Sequence, residues 1–336
     1  MDFPKVSVII PIYNSGNYLI ECLDSVINQT LSEIEVICID DGSTDSSFDI
    51  LKDYANNDSR FKIFHQENLG AGTTRNNAIE KVSGEFIIFL DSDDWIEEDM
   101  CEKLYNHAKK LDVDLVVFDA IWHHKDYDEV LCYFKETEFN QDYESFIFDK
   151  FQIKEKIMEP SLGVIWSKFY KTSLIKDNDI KFSSYKIYND VGFHFKSILS
   201  ADKIAVLPEV FYHYVNVGQQ SLQSSFRWGE YEPIWYDVMM DLREFLTFNN
   251  LMDDFRKEFI NYSFLSFINK FNGIHEDYKE IFYTKIKYFY ESLKLTSDEL
   301  KKLQFNYMVF YIHIINSNSY FEFKLMHDLF NGENIY

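Results

Sequence analysis

Four cysteines in 336 residues, Cys22, Cys38, Cys101 and Cys132, show no C-x-x-C spacing. That excludes a disulfide scaffold and a cysteine metal cluster, and fits core packing in a reducing compartment. Proline (5) and glycine (11) are scarce, which argues against disorder and against a turn-dense all-β chain. No apolar run is long enough to span a bilayer, and Val6 to Ile12 lacks the basic flank and cleavage site of a signal peptide. The expected location is cytoplasmic, with a peripheral position on the inner face of the plasma membrane left open. Basic residues are also few, 33 against 56 acidic, for a net charge of −23. Nucleic-acid binding needs a positive footprint and is excluded as an expectation. The 12 basic and 17 acidic residues from Asn216 onward leave −18 for the first 215 residues.

What is present is apolar and aromatic: 46% hydrophobic residues, with 32 Phe and 23 Tyr. The first 120 residues alternate in type. Val6-Ser7-Val8-Ile9-Ile10-Pro11 reads as a strand, and Leu19, Leu23, Val26 and Ile27 fall at helical spacing. Glu35 to Ile39 is a second strand, followed by a helix through Leu51 and Tyr54 that Thr44 or Asp45 can cap. Phe61 to Phe64, Phe86 to Leu90 and Asp114 to Phe118 are further strands, with helices over Thr73 to Val82 and Glu97 to Leu111. Apolar strands separated by helices predict a mostly parallel α/β sheet covered on both faces. Ligands of such sheets bind beyond the carboxyl ends of the strands. The polar clusters after Pro11, Asp40, Gln66 and Asp91 should therefore converge. From Asn216 the pattern is long and helical, with Phe264, Phe267, Ile268 and Phe271 as one stripe, so residues 216–336 are expected to form a separate, mostly helical module.

Asp91-Ser92-Asp93-Asp94 directly follows a buried strand. Closely spaced carboxylates there can hold a hard divalent cation, which can bridge a diphosphate and offset its charge as it departs. An acidic chain produces such spacing by chance, and it recurs at Asp112/Asp114, Asp126/Asp128 and Asp177/Asp179. Position at a strand end distinguishes the first. Asp40-Asp41-Gly42-Ser43 can be read as a turn with an Asp cap or as a ligand contact. Asn68-Leu69-Gly70-Ala71-Gly72, followed by Thr73-Thr74-Arg75-Asn76, opens a helix whose amides suit an anion, and Arg75 adds a charged fork. This spacing matches neither the dinucleotide fingerprint nor the phosphate loop.

In this order and spacing, these four motifs resemble the family 2 glycosyltransferases, inverting enzymes of the Rossmann-like GT-A fold. The resemblance is dense over the first 100 residues and then thins. It implies a nucleotide-sugar donor bound by Pro11, Tyr13, Asp41, Asn68, Gly70, Arg75, Asp91 and Ser92, with Asp41 on a pyrimidine edge. It places a divalent metal, Mn2+ or Mg2+, on Asp93. Thr74 stands where the family usually has Ala. An inverting transfer needs a base opposite the leaving group. The family's Glu-Asp pair corresponds to Asn189-Asp190, so Asp190 is the expected base and Asn189 replaces the usual Glu. Trp166-Ser167-Lys168-Phe169-Tyr170 resembles a Trp-x-Lys-x-Tyr element. Asp94, Trp166 and Asn189 are thus assigned to the acceptor side. Phe211-Tyr212-His213-Tyr214 followed by Gln220-Ser221 resembles a segment that closes over the diphosphate, with Val215 where Arg is common; His213 is read either as a metal or phosphate contact or, with more weight, as a satisfied structural histidine.

The resulting expectation is a GT-A domain over 1–215, with its donor site in 1–120 and its acceptor and base part in 121–215. The enzyme would use a UDP-hexose or UDP-N-acetylhexosamine and a glycan or lipid-linked acceptor in bacterial surface-polysaccharide assembly. Self-association and membrane contact through the C-terminal module stay open. The competing reading is a catalytically impaired member acting as a sugar-binding or partner subunit. A nucleotidyltransferase would want a Gly-rich basic loop after the first strand, where Pro11-Ile12-Tyr13-Asn14 stands instead.

Overall fold

A computed structural model describes residues 3–132, 146–158, 163–215 and 233–331. The chain divides into two compact units, Met1–Ser221 and Leu222–Tyr336. The boundary expected at 215/216 adjoins residues outside the described set.

In the first unit, β1 (Val6–Ile12), β2 (Ile34–Asp40), β3 (Phe61–His65) and β4 (Phe86–Phe89) alternate with α1 (Leu19–Ile27), α2 (Ser47–Asn57) and α3 (Ala71–Ile79). β1 pairs in parallel with β2 (Val6 opposite Ile34) and with β4 (Val6 opposite Phe86), and β2 with β3 (Val36 opposite Phe61). Every residue of β2 and β4 is buried, as strands covered on both faces require. α1 turns Leu19, Cys22, Leu23 and Val26 into the core. α2 has Ser46 in the cap position with no side-chain cap bond, so neither Thr44 nor Asp45 caps it as expected; Asp45 instead accepts the Ser47 amide at 2.9 Å from one residue before the cap. α3 begins at Ala71, two residues before the expected Thr73.

β5 (Trp95–Ile96), α4 (Met100–Leu111), β6 (Leu115–His123), β7 (Asp128–Leu131), β8 (Ile147–Phe148), α5 (Lys154–Ile157), β9 (Lys168–Lys171), α6 (Thr172–Asp177), α7 (Val191–Ser200) and β10 (Ile204–Val215) follow. The sheet order is β3-β2-β1-β4-β9-β6-β10-β5, with β7 beside β6 and β8 beside β10. β9 lies antiparallel to both β4 and β6, so those two share a direction without touching. β10 is parallel to β6. Among the described residues six strands therefore point one way in a mixed, mostly parallel sheet.

The second unit comprises helices Ile234–Phe248, Met252–Gly273, Glu276–Leu293, Ser297–Lys302, Phe305–Asn316 and Tyr320–Asn331. Phe264, Phe267 and Phe271 of the expected stripe are buried, and Ile268 is half-buried. Phe264 stacks on Tyr290 with ring centroids 4.4 Å apart, and Phe267 meets Phe289 edge-on at 5.0 Å. Full burial of each such ring is worth about 1.5–3 kcal/mol, which makes the stripe the core of the helical unit. Among the described residues, no helix is long and apolar enough to cross a membrane.

Candidate active site

Because β1 to β4 are mutually parallel, the segments that leave their carboxyl ends meet at one edge. Asn14, at φ 53°, donates its amide to Ser43 Oγ at 2.9 Å and accepts the Thr44 amide at 2.8 Å. Asn tolerates this left-handed conformation better than most residues. Ser15 Oγ and Ser92 Oγ are 2.6 Å apart, joining the β1 and β4 exits. Asp41, only 3% exposed, accepts from Gln66 Nε2 at 2.7 Å, the Leu69 amide at 2.9 Å and the Gly70 amide at 2.8 Å. It thus closes the 66–70 loop, and Gly70 at φ 86° supplies the backbone turn that brings its amide to the carboxylate. Pro11 is half-buried, while Tyr13 and Asn68 are exposed at the rim.

The next contacts tie α3 to the end of β4 and to a segment more than one hundred residues away. Arg75, buried on α3, donates Nη2 to Asp91 Oδ1 at 2.6 Å and Nη1 to Asn189 Oδ1 at 3.4 Å. Its guanidinium carbon lies 5.5 Å from the ring centre of Phe182. Asn76 fixes this arrangement: its side-chain amide donates to the Phe182 carbonyl and accepts from the Phe182 amide, both at 2.9 Å. Asp190, just before α7, is thereby brought beside Arg75. Burial pushes the Asp190 carboxyl up and Arg75 draws it down, with a net upward shift. A raised carboxyl is a better proton acceptor once ionised. Asn189 keeps an oxygen for Arg75 where the family's Glu would bring a charge.

Asp91, Asp93 and Asp94 have different partners. Asp91 is held by Arg75. Asp94, 1% exposed, accepts from Tyr212 Oη at 2.6 Å and from the Val215 amide at 2.8 Å. The same Tyr212 oxygen accepts the Asp91 amide at 3.1 Å. Asp94, assigned from the sequence to the acceptor side, is thus committed to β10. Among the described residues no other side chain hydrogen-bonds Asp93. Burial, then the neighbouring Asp91, pushes its carboxyl up to about 6. Burial with Asp91 and Asp93 raises Asp94 well above the carboxylate range. Such crowding is the electrostatic condition that a hard cation relieves, and Asp93 has the uncommitted oxygens, so the residues present fit a divalent ion. Among the described residues no group of three or more His, Cys, Asp and Glu is arranged to hold a metal by itself.

Of the two sequence readings of His213, its contacts fit the satisfied structural histidine. Its Nδ1 meets His123 Nε2 at 2.9 Å and its Nε2 meets Glu97 Oε1 at 2.9 Å, while its ring stacks on Trp95. A metal ligand needs a free lone pair, and both nitrogens of His213 are engaged. Trp166 is 7% exposed and stacks on Tyr212 with centroids 4.5 Å apart, so it is a wall behind the carboxylates. Gln220 and Ser221 lie outside the described residues. Sequence reasoning missed Asn76, and it missed Tyr212 as the bridge between Asp91 and Asp94. Tyr212 lay inside an aromatic segment already singled out, whereas nothing at Asn76 announced a partner at Phe182.

A parallel sheet whose carboxyl edge gathers these loops, with an acidic cluster at the end of β4 and a carboxylate delivered from α7, defines the GT-A class of sugar transferases. The family model Glycosyl transferase family 2 matches residues 7–161. EpsH of Bacillus subtilis is 34% identical over 266 residues, covering 77% of this chain and 74% of that protein. The cholesterol galactosyltransferase of Borreliella burgdorferi is 31% identical over 283 residues, 78% of this chain and 75% of that one. Among solved structures, Staphylococcus aureus TarS 1-349 in complex with UDP-GlcNAc superposes with a TM-score of 0.77 at 23% identity, over 99% of this chain and 93% of that chain. The chain belongs to the family 2 glycosyltransferases and is a transferase enzyme.

Proposed function

We propose that this enzyme moves a hexose or N-acetylhexosamine from its UDP derivative to a hydroxyl of a glycan or lipid-linked acceptor, inverting the anomeric centre by direct displacement. The observation that carries the reading is the position of Arg75, which binds Asp91 at 2.6 Å and draws down the Asp190 carboxyl. One cation thus joins the donor motif to the residue assigned as base. Asp190 accepts the proton of the acceptor hydroxyl, whose oxygen attacks the anomeric carbon as the bond to the diphosphate breaks. The electron pair of that bond leaves on the diphosphate. Pro11, Tyr13, Asp41, Asn68, Gly70 and Ser92 surround the nucleoside, with Asp91 toward the ribose. A divalent ion on Asp93, Mn2+ or Mg2+, would supply positive charge to the departing diphosphate. Asp41 keeps a lone pair on Oδ2 beyond its bond to Gly70, which suits the N–H of a pyrimidine.

Bacterial surface-polysaccharide synthesis is the proposed setting. A lipid-linked acceptor accords with a relative named for transfer to cholesterol. The test is calorimetric titration with UDP, GDP, CDP and dTDP, in manganese and in chelator, on the wild type and Asp93→Ala. Metal-dependent binding of UDP, lost in the variant, is expected. Binding of none of the four would sink the proposal.

A further inference from the structure

Four strands at one side of the sheet contribute to a single run of polar side chains. Glu97 follows β5, His213 lies on β10, His123 ends β6 and Asp128 opens β7. Glu97 Oε1 meets His213 Nε2 at 2.9 Å, His213 Nδ1 meets His123 Nε2 at 2.9 Å, and His123 Nδ1 meets Asp128 Oδ1 at 2.8 Å. All three are hydrogen-bond distances, so each gap holds one proton. Both carboxylates reach solvent, with 45% and 60% of their side chains exposed, and an ionised carboxylate only accepts. The three protons must then come from the rings. Two neutral imidazoles bring only two N–H groups, so the third proton makes one of them an imidazolium.

We propose that His123 and His213 share one extra proton between Glu97 and Asp128, and that this proton pins β5, the strand leaving the acidic motif, to β10 and to the β6–β7 hairpin. β5 has two residues and sits at the sheet edge, with Trp95 opposite His213 and Ile96 opposite Tyr212. So short an edge strand is weak by itself. The Trp95 indole lies flat on the His213 ring, centroids 3.4 Å apart, and its centroid is 6.1 Å from that of His123. An indole face attracts a cation, so the charged pair also holds Trp95. Trp95 comes directly after Asp94, which is itself bonded to Tyr212 and Val215 of β10. When the extra proton leaves, two N–H groups remain for three gaps and one bond opens. β5 and the acidic motif then lose part of their hold.

The place of the proton within the pair follows from burial. Burial lowers His213, Glu97 pulls it back up, and His123 lowers it further, with a net downward shift. His213 is then the neutral ring, with its proton on Nε2 toward Glu97, and His123 is the imidazolium facing Asp128. A second extra proton would set two N–H groups against each other between the rings, so the pair takes up one. The nearby charges have their own partners: Glu129 faces His124 at 3.2 Å, and Lys103 of α4 bonds Asp99 and Glu209. The proton count stands on the geometry, whereas its effect on donor affinity rests on the UDP reading given above.

The test uses the full chain with nitrogen-15 in its histidine rings, the two signals assigned by their loss in His123→Gln and His213→Gln. Between about pH 5 and 8, where histidine changes charge, the two rings should gain one proton together, with His213 remaining neutral and protonated on Nε2. Asp128→Asn, at a surface position, should lower the midpoint of the pair by about half a pH unit, and this shift identifies the pair even if a ring variant fails to fold. Two rings that each gain a proton independently, or a midpoint unmoved in Asp128→Asn, overturn the inference. Manganese-dependent UDP affinity should fall about threefold or more as pH rises through that midpoint, the worth of one hydrogen bond, and His123→Gln should lack this step. The same step in His123→Gln would break the link from the proton to the donor site. No UDP binding at any pH would instead refute the donor reading, while the ring titration still decides the proton.

Discussion

Gly72 of α3 faces the backbone of Ser183 so closely that a Cβ on it would stand 2.3 Å from the Ser183 carbonyl oxygen. The same Cβ would be 3.0 Å from that of Asn189. The glycine that the loop motif supplies therefore permits α3 to lie against the segment that delivers Asp190. Gly72→Ala should push this segment away, at a cost of about 1–3 kcal/mol for an overpacked contact. A lowered melting temperature is expected together with loss of transfer out of proportion to it. Wild-type turnover in the Ala variant would show that the close approach does not place the base.

Tyr212 joins two parts of the acidic motif through one oxygen. Tyr212→Phe keeps the ring on Trp166 but leaves the buried Asp94 short of a donor, which should cost about 1–3 kcal/mol of stability. Donor affinity should fall as well, because the Asp91 amide loses its acceptor. Denaturant melts and UDP calorimetry on the same preparation would read both effects.

Asp93 makes the donor site sensitive to acid. With its carboxyl at about 6, the proton competes with a divalent ion below that pH. Manganese-dependent UDP binding should be fully present well above pH 6 and weaken about tenfold for each unit below it. The linkage to stability has the opposite sign. A carboxyl raised from the ordinary 3.8 holds its proton more tightly in the folded state, so that stabilising contribution is full below 3.8 and is lost as pH rises through about 6. Melting of the metal-free protein at pH 5 and 7, with and without Asp93→Ala, separates these effects.

Much of this architecture could be read from residue order alone. β1 to β4 are continuous apolar runs closed by polar turns, and their parallel direction follows from the helices between them, so the convergence of Asn14, Asp41, Gly70 and Asp91 was already implicit. β9 was not legible as a strand between β4 and β6, because four residues carry no period and their partners lie more than fifty residues away. The same distance hid Asn76 from Phe182 and Asp94 from Tyr212. Acidic spacing identified the cluster after β4, yet it could not show that Arg75 occupies Asp91 and Tyr212 occupies Asp94. His213 stood in a sensible place for a metal contact, and only the structure reveals His123 and Glu97 on its two nitrogens.

The proposed mechanism divides the labour, with the donor held by the strand-end motifs and the acceptor's proton taken by Asp190. The direct measurement is donor binding and turnover in Asp190→Asn, using calorimetry for UDP affinity and release of UDP from the sugar donor for rate. Affinity within about twofold of wild type, with turnover down about a hundredfold or more, is the predicted result for loss of a general base. Turnover equal to wild type would contradict the account.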